Sequence, residues 1–360
     1  MEPQQKRAKK KKDRKPIYIL IGFLIFFCFF VFLLTRPSAQ SKAIRELETC
    51  FNKKDVEMVW YKYKSDLYQD EDFLNEVRTK LTSFKLSDEE TKDCSSWLPP
   101  SQSSLNLIII PDLSRRITDT VNNPNQINND KFVLQTIWKS FVAYSKLKQD
   151  TKDRLLVDVT DIDQAKGQFE TIANSLQFDL SEHKDKSNRL YFTEDKDAKF
   201  TKSIDELYNS AKQKPLGADY RFYFRRYLPN LLKKPTLFDN YINKVIIITD
   251  GYLEAEKGPA DTKIYGYQKQ LYKSVAIGNT TDVITSLGLN IPKVDIDLSN
   301  TEILVCEVNE RRSGMGYDFE VLKAYWDDWF KRMGAKKLVF AAREKANEIT
   351  AQKINEFISK

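Results

Sequence analysis

Residues 17–34, IYILIGFLIFFCFFVFLL, run for 18 positions without a charge. As a helix rising about 1.5 Å per residue, the segment is roughly 27 Å long, close to the hydrocarbon thickness of a bilayer. A cleaved secretion signal has a shorter apolar core of about 7–15 residues, and PSAQS at 37–41 resembles a cleavage site only faintly. Ahead of the run stand Lys6, Arg7, Lys9, Lys10, Lys11, Lys12, Arg14 and Lys15 against Glu2 and Asp13, whereas only Arg36 and Lys42 follow soon after it. That asymmetry predicts a single-span anchor, with residues 1–16 a cytoplasmic basic tail and everything from about residue 36 outside the cytoplasm. High Lys, Asn and Ile usage points to a bacterial inner membrane and a periplasmic or extracellular C-terminal domain.

The anchor also accounts for the charge. The chain carries a formal +7, of which +6 lies in residues 1–16, leaving +1 over the other 344 residues. The folded part is therefore nearly neutral, and nucleic acid is not an expected partner. The basic tail suits anionic headgroups instead.

After the span, residues 36–98 read as a charged, membrane-proximal helical stalk: AIRELETCF, VEMVWYKYKSDLY and DFLNEVRTKLTSF carry apolar residues at helical spacing. The stalk closes at SSWLPPSQSS, a Pro- and Ser-rich linker. Cys28 and Cys306 lie in apolar runs and read as buried thiols, while Cys50 and Cys94 face an oxidising compartment and are candidates for a disulfide.

From residue 105 to 360 the pattern alternates. LNLIIIP, DRLLVDVTD, NKVIIITDG, TEILVCEVN and KKLVF read as buried strands and RLYFTED as a short edge strand. Helices fall between them, the first capped by Asn128, Asn129 or Asp130. An irregular insertion occupies about 251–301. Continuous apolar strands separated by helices predict an α/β domain, a doubly wound and mostly parallel sheet covered on both faces.

In such a sheet ligands sit beyond the carboxyl ends of the strands, where strand order reverses. LIIIPDLS places Asp112 and Ser114 at one strand end, and VIIITDG places Thr249 and Asp250 at another. If the two strands are neighbours, the carboxylates and hydroxyls converge. Oxygen ligands of this kind suit a hard cation, Mg²⁺ or Mn²⁺.

The order and chemistry resemble a von Willebrand factor A domain. That family places Asp-x-Ser-x-Ser after the first strand, a Thr on a later loop, and an Asp, often as Thr-Asp-Gly, after the fourth strand. The resemblance covers residues 105–360 and implies a metal-ion-dependent adhesion site in which Asp112, Ser114 and Asp250 match. Two positions depart. The second serine falls at Arg116, and the threonine loop reads PLGADYRF, offering only Asp219. A guanidinium is always protonated and donates in a fixed fork to carboxylates. Arg116 therefore either replaces the cation, or Arg115 and Arg116 point to solvent and a weak metal site survives on Asp112, Ser114, Asp250 and Asp219. The cofactor is then Mg²⁺, Mn²⁺ or none.

Other signals are less specific. DYRFYFRRYLPNLLKK interleaves aromatics with arginines and reads as a helix packed on the sheet. His183 is the one histidine, in a polar loop, and leaves little for a triad or a zinc site. Arg311 and Arg312 follow the fourth long strand, on the same side as Asp112. The expected function is a non-enzymatic, membrane-anchored protein-binding module, an adhesion or scaffold component that meets a partner's carboxylate through Arg115, Arg116, Arg311 or Arg312. The alternatives are a metal-dependent hydrolase or phosphoryl-transfer enzyme using Asp112 and Asp250, and a purely structural membrane-anchor element.

Overall fold

The computed structural model describes residues 37–148, 151–183, 186–236, 239–253, 269–311 and 317–360. The basic tail, the apolar run 17–34, Arg312 and residues 254–268 of the insertion lie outside the described residues. Among the described residues no helix is long and apolar enough to cross a membrane. The chain divides into two compact units, one up to Glu90 and one from Thr91; the boundary falls within the helix Asp88–Trp97.

The first unit is built from the helices Ala39–Glu48, Lys53–Leu67 and Glu71–Ser83. Each begins at a side-chain cap: Ser38, Asn52 and Asp70 accept from the backbone N–H groups of Ser41, Asp55 and Phe73. Val56, Trp60, Tyr63 and Leu67 fall on one face of the second helix and are buried, with Trp60 stacked on Phe73 at 5.9 Å between ring centroids. Gln40 reaches Asp70 and Asp72, and Glu46 takes both Lys62 and the Tyr63 hydroxyl. Cys50 and Cys94, the candidate disulfide pair, are both buried. Cys50 donates to the Glu46 carbonyl at 3.4 Å.

The second unit is α/β. Its six-stranded sheet comprises β1 Ser103–Pro111, β2 Arg154–Val157, β3 Gln177–Asp179, β4 Asn240–Ile248, β5 Thr301–Val308 and β6 Lys337–Ala342, in the order β3-β2-β1-β4-β5-β6. All neighbours are parallel except the edge pair β2–β3. Because side chains alternate across a strand, Leu107 and Ile109 enter one apolar layer and Ile108 and Ile110 the other. The first layer is closed by Val133, Ile137 and Phe141 of the helix Gln126–Lys146, with Phe200 and Ile354 from two further helices. Tyr223, Phe224, Trp326, Trp329 and Phe330 close the second. This two-sided burial is why the long strands read as unbroken apolar runs.

Three local expectations are corrected. RLYFTED is no strand: it lies in the 28-residue helix Lys186–Gln213, and the antiparallel edge is Gln177–Asp179. The helix after β1 starts at Gln126, and its N-cap Asn125 makes no side-chain cap bond. Asp130, read as a cap residue, is inside that helix and fully buried. Finally, the aromatic–arginine segment forms two short helices, Tyr220–Arg226 and Leu228–Leu231, with Pro229 opening the second.

Candidate functional site

Strand order reverses between β1 and β4, which pair over nine positions from Ser103↔Asn240 to Pro111↔Ile248. The residues that follow each strand are therefore side by side. Asp112 N donates to Ile248 O at 2.9 Å, and Thr249 N to Cys306 O at 3.0 Å. Asp112 Oδ2 accepts the Thr249 hydroxyl at 2.8 Å, and Oδ1 accepts the Ser114 backbone N–H at 3.0 Å. The structure thus brings Asp112, Ser114, Thr249 and Asp250 to one end of the sheet, with Ser114 engaged through its backbone.

The two arginines after Ser114 part company across a single 3₁₀ turn, Arg115–Ile117. Arg115 is exposed, whereas Arg116 is 2% exposed. The Arg116 Nε donates to Asp112 O at 2.9 Å and lies 3.3 Å from Asp112 Oδ2. Its Nη2 donates to Asp130 Oδ2 at 2.8 Å and to Ile248 O at 2.9 Å. Arg116 therefore cannot meet a partner's carboxylate, because its fork is spent on buried groups of its own chain.

Asp130, which the sequence offers only as a cap residue, is the counter-ion of Arg116, and Gln126 and Tyr208 complete its shell at 2.7 and 3.0 Å. Asp250 turns the other way. Its Oδ2 accepts from Arg311 Nε at 2.9 Å and Asn123 Nδ2 at 3.2 Å, and Arg311 lies 4.3 Å over the Tyr252 ring. A second pair sits on the β6 side: Arg343 Nε donates to Glu307 Oε2 at 3.1 Å while its Nη2 reaches Gln126 Oε1. Glu307 holds φ +66° where the β5–β6 register shifts between Val305 and Val308. A left-handed glutamate in a bulge is strained backbone of the kind that re-aims a side chain.

Burial opposes the charge on Arg116, but Asp130 and then Asp112 outweigh it and hold its pKa above the ordinary guanidinium value. For Asp130 burial is the larger effect and raises the carboxyl, with Arg116 pulling it back. Asp250 is raised by burial, opposed by Arg311 and reinforced by Asp112. Glu307 is raised by burial and then by Asp130. The Tyr220 hydroxyl is fully buried and lacks a hydrogen-bond partner among the described residues, and burial, with Asp112 nearby, pushes its pKa well up.

The remaining predicted ligand, Asp219, caps the helix Tyr220–Arg226, accepting from Phe222 N at 2.9 Å. Just before it, Ala218 N donates to Thr160 Oγ1 at 3.1 Å. Gly217 has φ +135°, and a Cβ there would stand 3.2 Å from Thr160 Oγ1. A cavity of about 290 Å³ opens beside this loop, lined by Leu113, Phe169, Ile172, Leu207 and Leu216 among others.

Among the described residues no group of three or more His, Cys, Asp or Glu side chains is arranged to hold a metal ion. The carboxylates of Asp112, Asp130 and Asp250 each accept from protein donors on both oxygens. The contacts of Asp130 with Arg116 and Tyr208 have no local signal in the sequence, since they span 14 and 78 positions along the chain. Comparison with protein-family models, with curated proteins and with solved structures gave no match.

Proposed function

We propose that this chain is a single-pass protein of the bacterial envelope whose C-terminal domain, von Willebrand A-like, binds a protein partner through its strand-end loops without a divalent cation. One observation carries the reading: the Arg116 guanidinium sits between Asp112 and Asp130, within 3.3 Å of Asp112 Oδ2, where a cation would otherwise neutralise the strand-end carboxylates. The adjacency of β1 and β4, which brings the Asp-x-Ser turn against Thr-Asp-Gly, supports the family resemblance. The apolar run 17–34 and its basic flank support the anchor.

In this reading the buried ion pairs hold the loops in shape, and recognition falls to what they present. Arg115 is exposed and Arg311 partly so, and the cavity beside Leu113 suits an apolar anchor side chain. Arg115 and Arg311 would meet an acidic surface. The test places a photo-crosslinking residue at Arg115 in the intact, membrane-held chain, with exposed Lys202 as control. A discrete protein adduct at 115 that survives EDTA is expected. An adduct abolished by EDTA would restore a cation to the site, and labelling no greater than at Lys202 would remove the binding role.

A further inference from the structure

Residues 220–236 carry Arg221, Arg225, Arg226, Lys233 and Lys234 and no acid, a formal +5. Residues 17–360 together carry +1, so everything else beyond the basic tail sums to −4. Positive charge outside the tail is therefore gathered on one surface. The helices Tyr220–Arg226 and Leu228–Leu231 bury Tyr220, Tyr223, Phe224 and Leu228 in the second apolar layer. That turns Arg225 and Arg226 outwards, where both are exposed, as is Lys234. Neither arginine pairs with a carboxylate among the described residues. The acids at the two ends of the segment are engaged: Asp219 caps the first helix, and Asp239 holds Lys152 at 2.8 Å. Asp297 is within electrostatic reach of Lys234 without pairing with it.

The geometry points to an anionic lipid surface as the partner of this patch. Phe222 and Tyr227 stand half-buried among the cations, and rings beside Lys and Arg suit the headgroup level of a bilayer. A guanidinium takes phosphate in a fixed fork, and Arg225 and Arg226 have theirs unspent. Single-stranded nucleic acid, another polyanion, needs open ring faces on which its bases stack. Here Phe222 packs edge-on with Tyr227 at 5.8 Å between centroids, and the Arg225 guanidinium lies 5.8 Å over the Phe222 ring. The bilayer is also the anion surface within reach. Lys233 N donates to Asn243 Oδ1 at 2.9 Å, which sets the lysine pair near the end of the sheet where β1 and β4 begin. The chain that leads from the apolar run 17–34 enters β1 at that end, and in this respect the inference rests on the anchor proposed above.

The test reconstitutes the full chain, on a Cys28→Ala background, in vesicles of phosphatidylcholine with or without phosphatidylglycerol. A dye on Asn230→Cys, exposed between the arginines and the lysines, is compared with one on exposed Lys202→Cys, and lipid with a quencher on its headgroup reads the contact. Quenching at 230 at least about twofold above that at 202 is expected in the anionic vesicles and no excess in the neutral ones. Raised salt removes the excess. So does Arg225→Glu with Arg226→Glu, a change at two exposed sites that leaves the melting temperature near that of the wild type. Equal quenching at 230 and 202 in anionic vesicles, an excess that persists in neutral lipid, or one indifferent to the charge reversal overturns the lipid contact. A dye at 230 that responds to a single-stranded oligonucleotide but not to anionic lipid assigns the patch to nucleic acid and overturns it too. Flotation with the neutral vesicles, to which neither the tail nor the patch is drawn, reads the anchor separately. A chain that floats without the excess at 230 removes the lipid contact alone. A chain that does not float removes the anchor, and the same comparison of 230 with 202 is then decided on anionic vesicles added to the soluble chain.

Discussion

Arg116 Nη2 and Asp130 Oδ2 lie 2.8 Å apart, with both side chains sealed from solvent. One comes from the turn after β1, the other from the first turns of the helix Gln126–Lys146. Their contact ties the turn to the helix, and the Ile248 carbonyl ties both to β4. Removing one member leaves an uncompensated buried charge, which costs far more than the pair contributes. Arg116→Ala is therefore expected to destabilise the second unit by about 3–5 kcal/mol, read as a lower melting temperature in the near-ultraviolet signal of Trp326 and Trp329. A loss within about 0.5 kcal/mol, typical of a surface site, would show that the pair is not buried in solution.

The same arginine decides the response to metal. The melting temperature of the wild-type chain is expected to be equal in Mg²⁺, Mn²⁺ and EDTA, since a ligand stabilises only if it binds the native state. Arg116→Ser removes the fixed cation and leaves Asp112, Asp130 and Asp250 without it. That variant is expected to melt lower in EDTA and to recover in Mn²⁺. Stabilisation of the wild type by either ion would contradict the arrangement.

Asp219 separates a cap from a ligand. Losing an N-cap carboxylate costs about 1 kcal/mol, so Asp219→Ala should lower stability by that amount equally with and without Mg²⁺. A loss seen only in Mg²⁺ would assign Asp219 to a cation.

Glu307 predicts a pH signature. Burial, reinforced by Asp130, raises its folded pKa above the ordinary 4.5, so the native state binds this proton more tightly than the unfolded chain. Its contribution to stability is then fully present below 4.5 and is lost as pH rises through the folded value. Glu307→Gln keeps an acceptor for Arg343 but cannot titrate. The stability of the wild type should fall relative to Glu307→Gln as pH is raised from about 4.5; melts of the two proteins across pH 4–7 check the sign.

Much of this architecture is legible in the sequence, and the reasons are local. The runs LNLIIIP, NKVIIITDG and TEILVCEVN are buried on both faces, so composition alone marks them as strands, and their polar ends mark the strand-end loops. RLYFTED misleads because its aromatics suit a strand in a short window. In the structure Phe192 packs against His183 and Phe178 from a 28-residue helix, a periodicity visible only over the longer span. Asp130 misleads for a different reason. Asn-Asn-Asp before an apolar run carries cap chemistry, and only the three-dimensional position of Arg116 turns its third residue into a counter-ion. Arg116 and Arg115 share a type and adjoining positions, and no local signal says which is buried.

Glu307, Arg343, Gln126, Asp130, Arg116 and Asp112 form one linked set of side chains, and Arg311 with Asp250 forms a separate pair at the same end of the sheet. A rim bound together in this way is already frozen before anything docks on it. If a partner docks there as proposed, the paired side chains have little freedom left to lose, so little of their entropy would be forfeited on binding. A ligand of the wrong shape would then have to break these pairs to be accommodated.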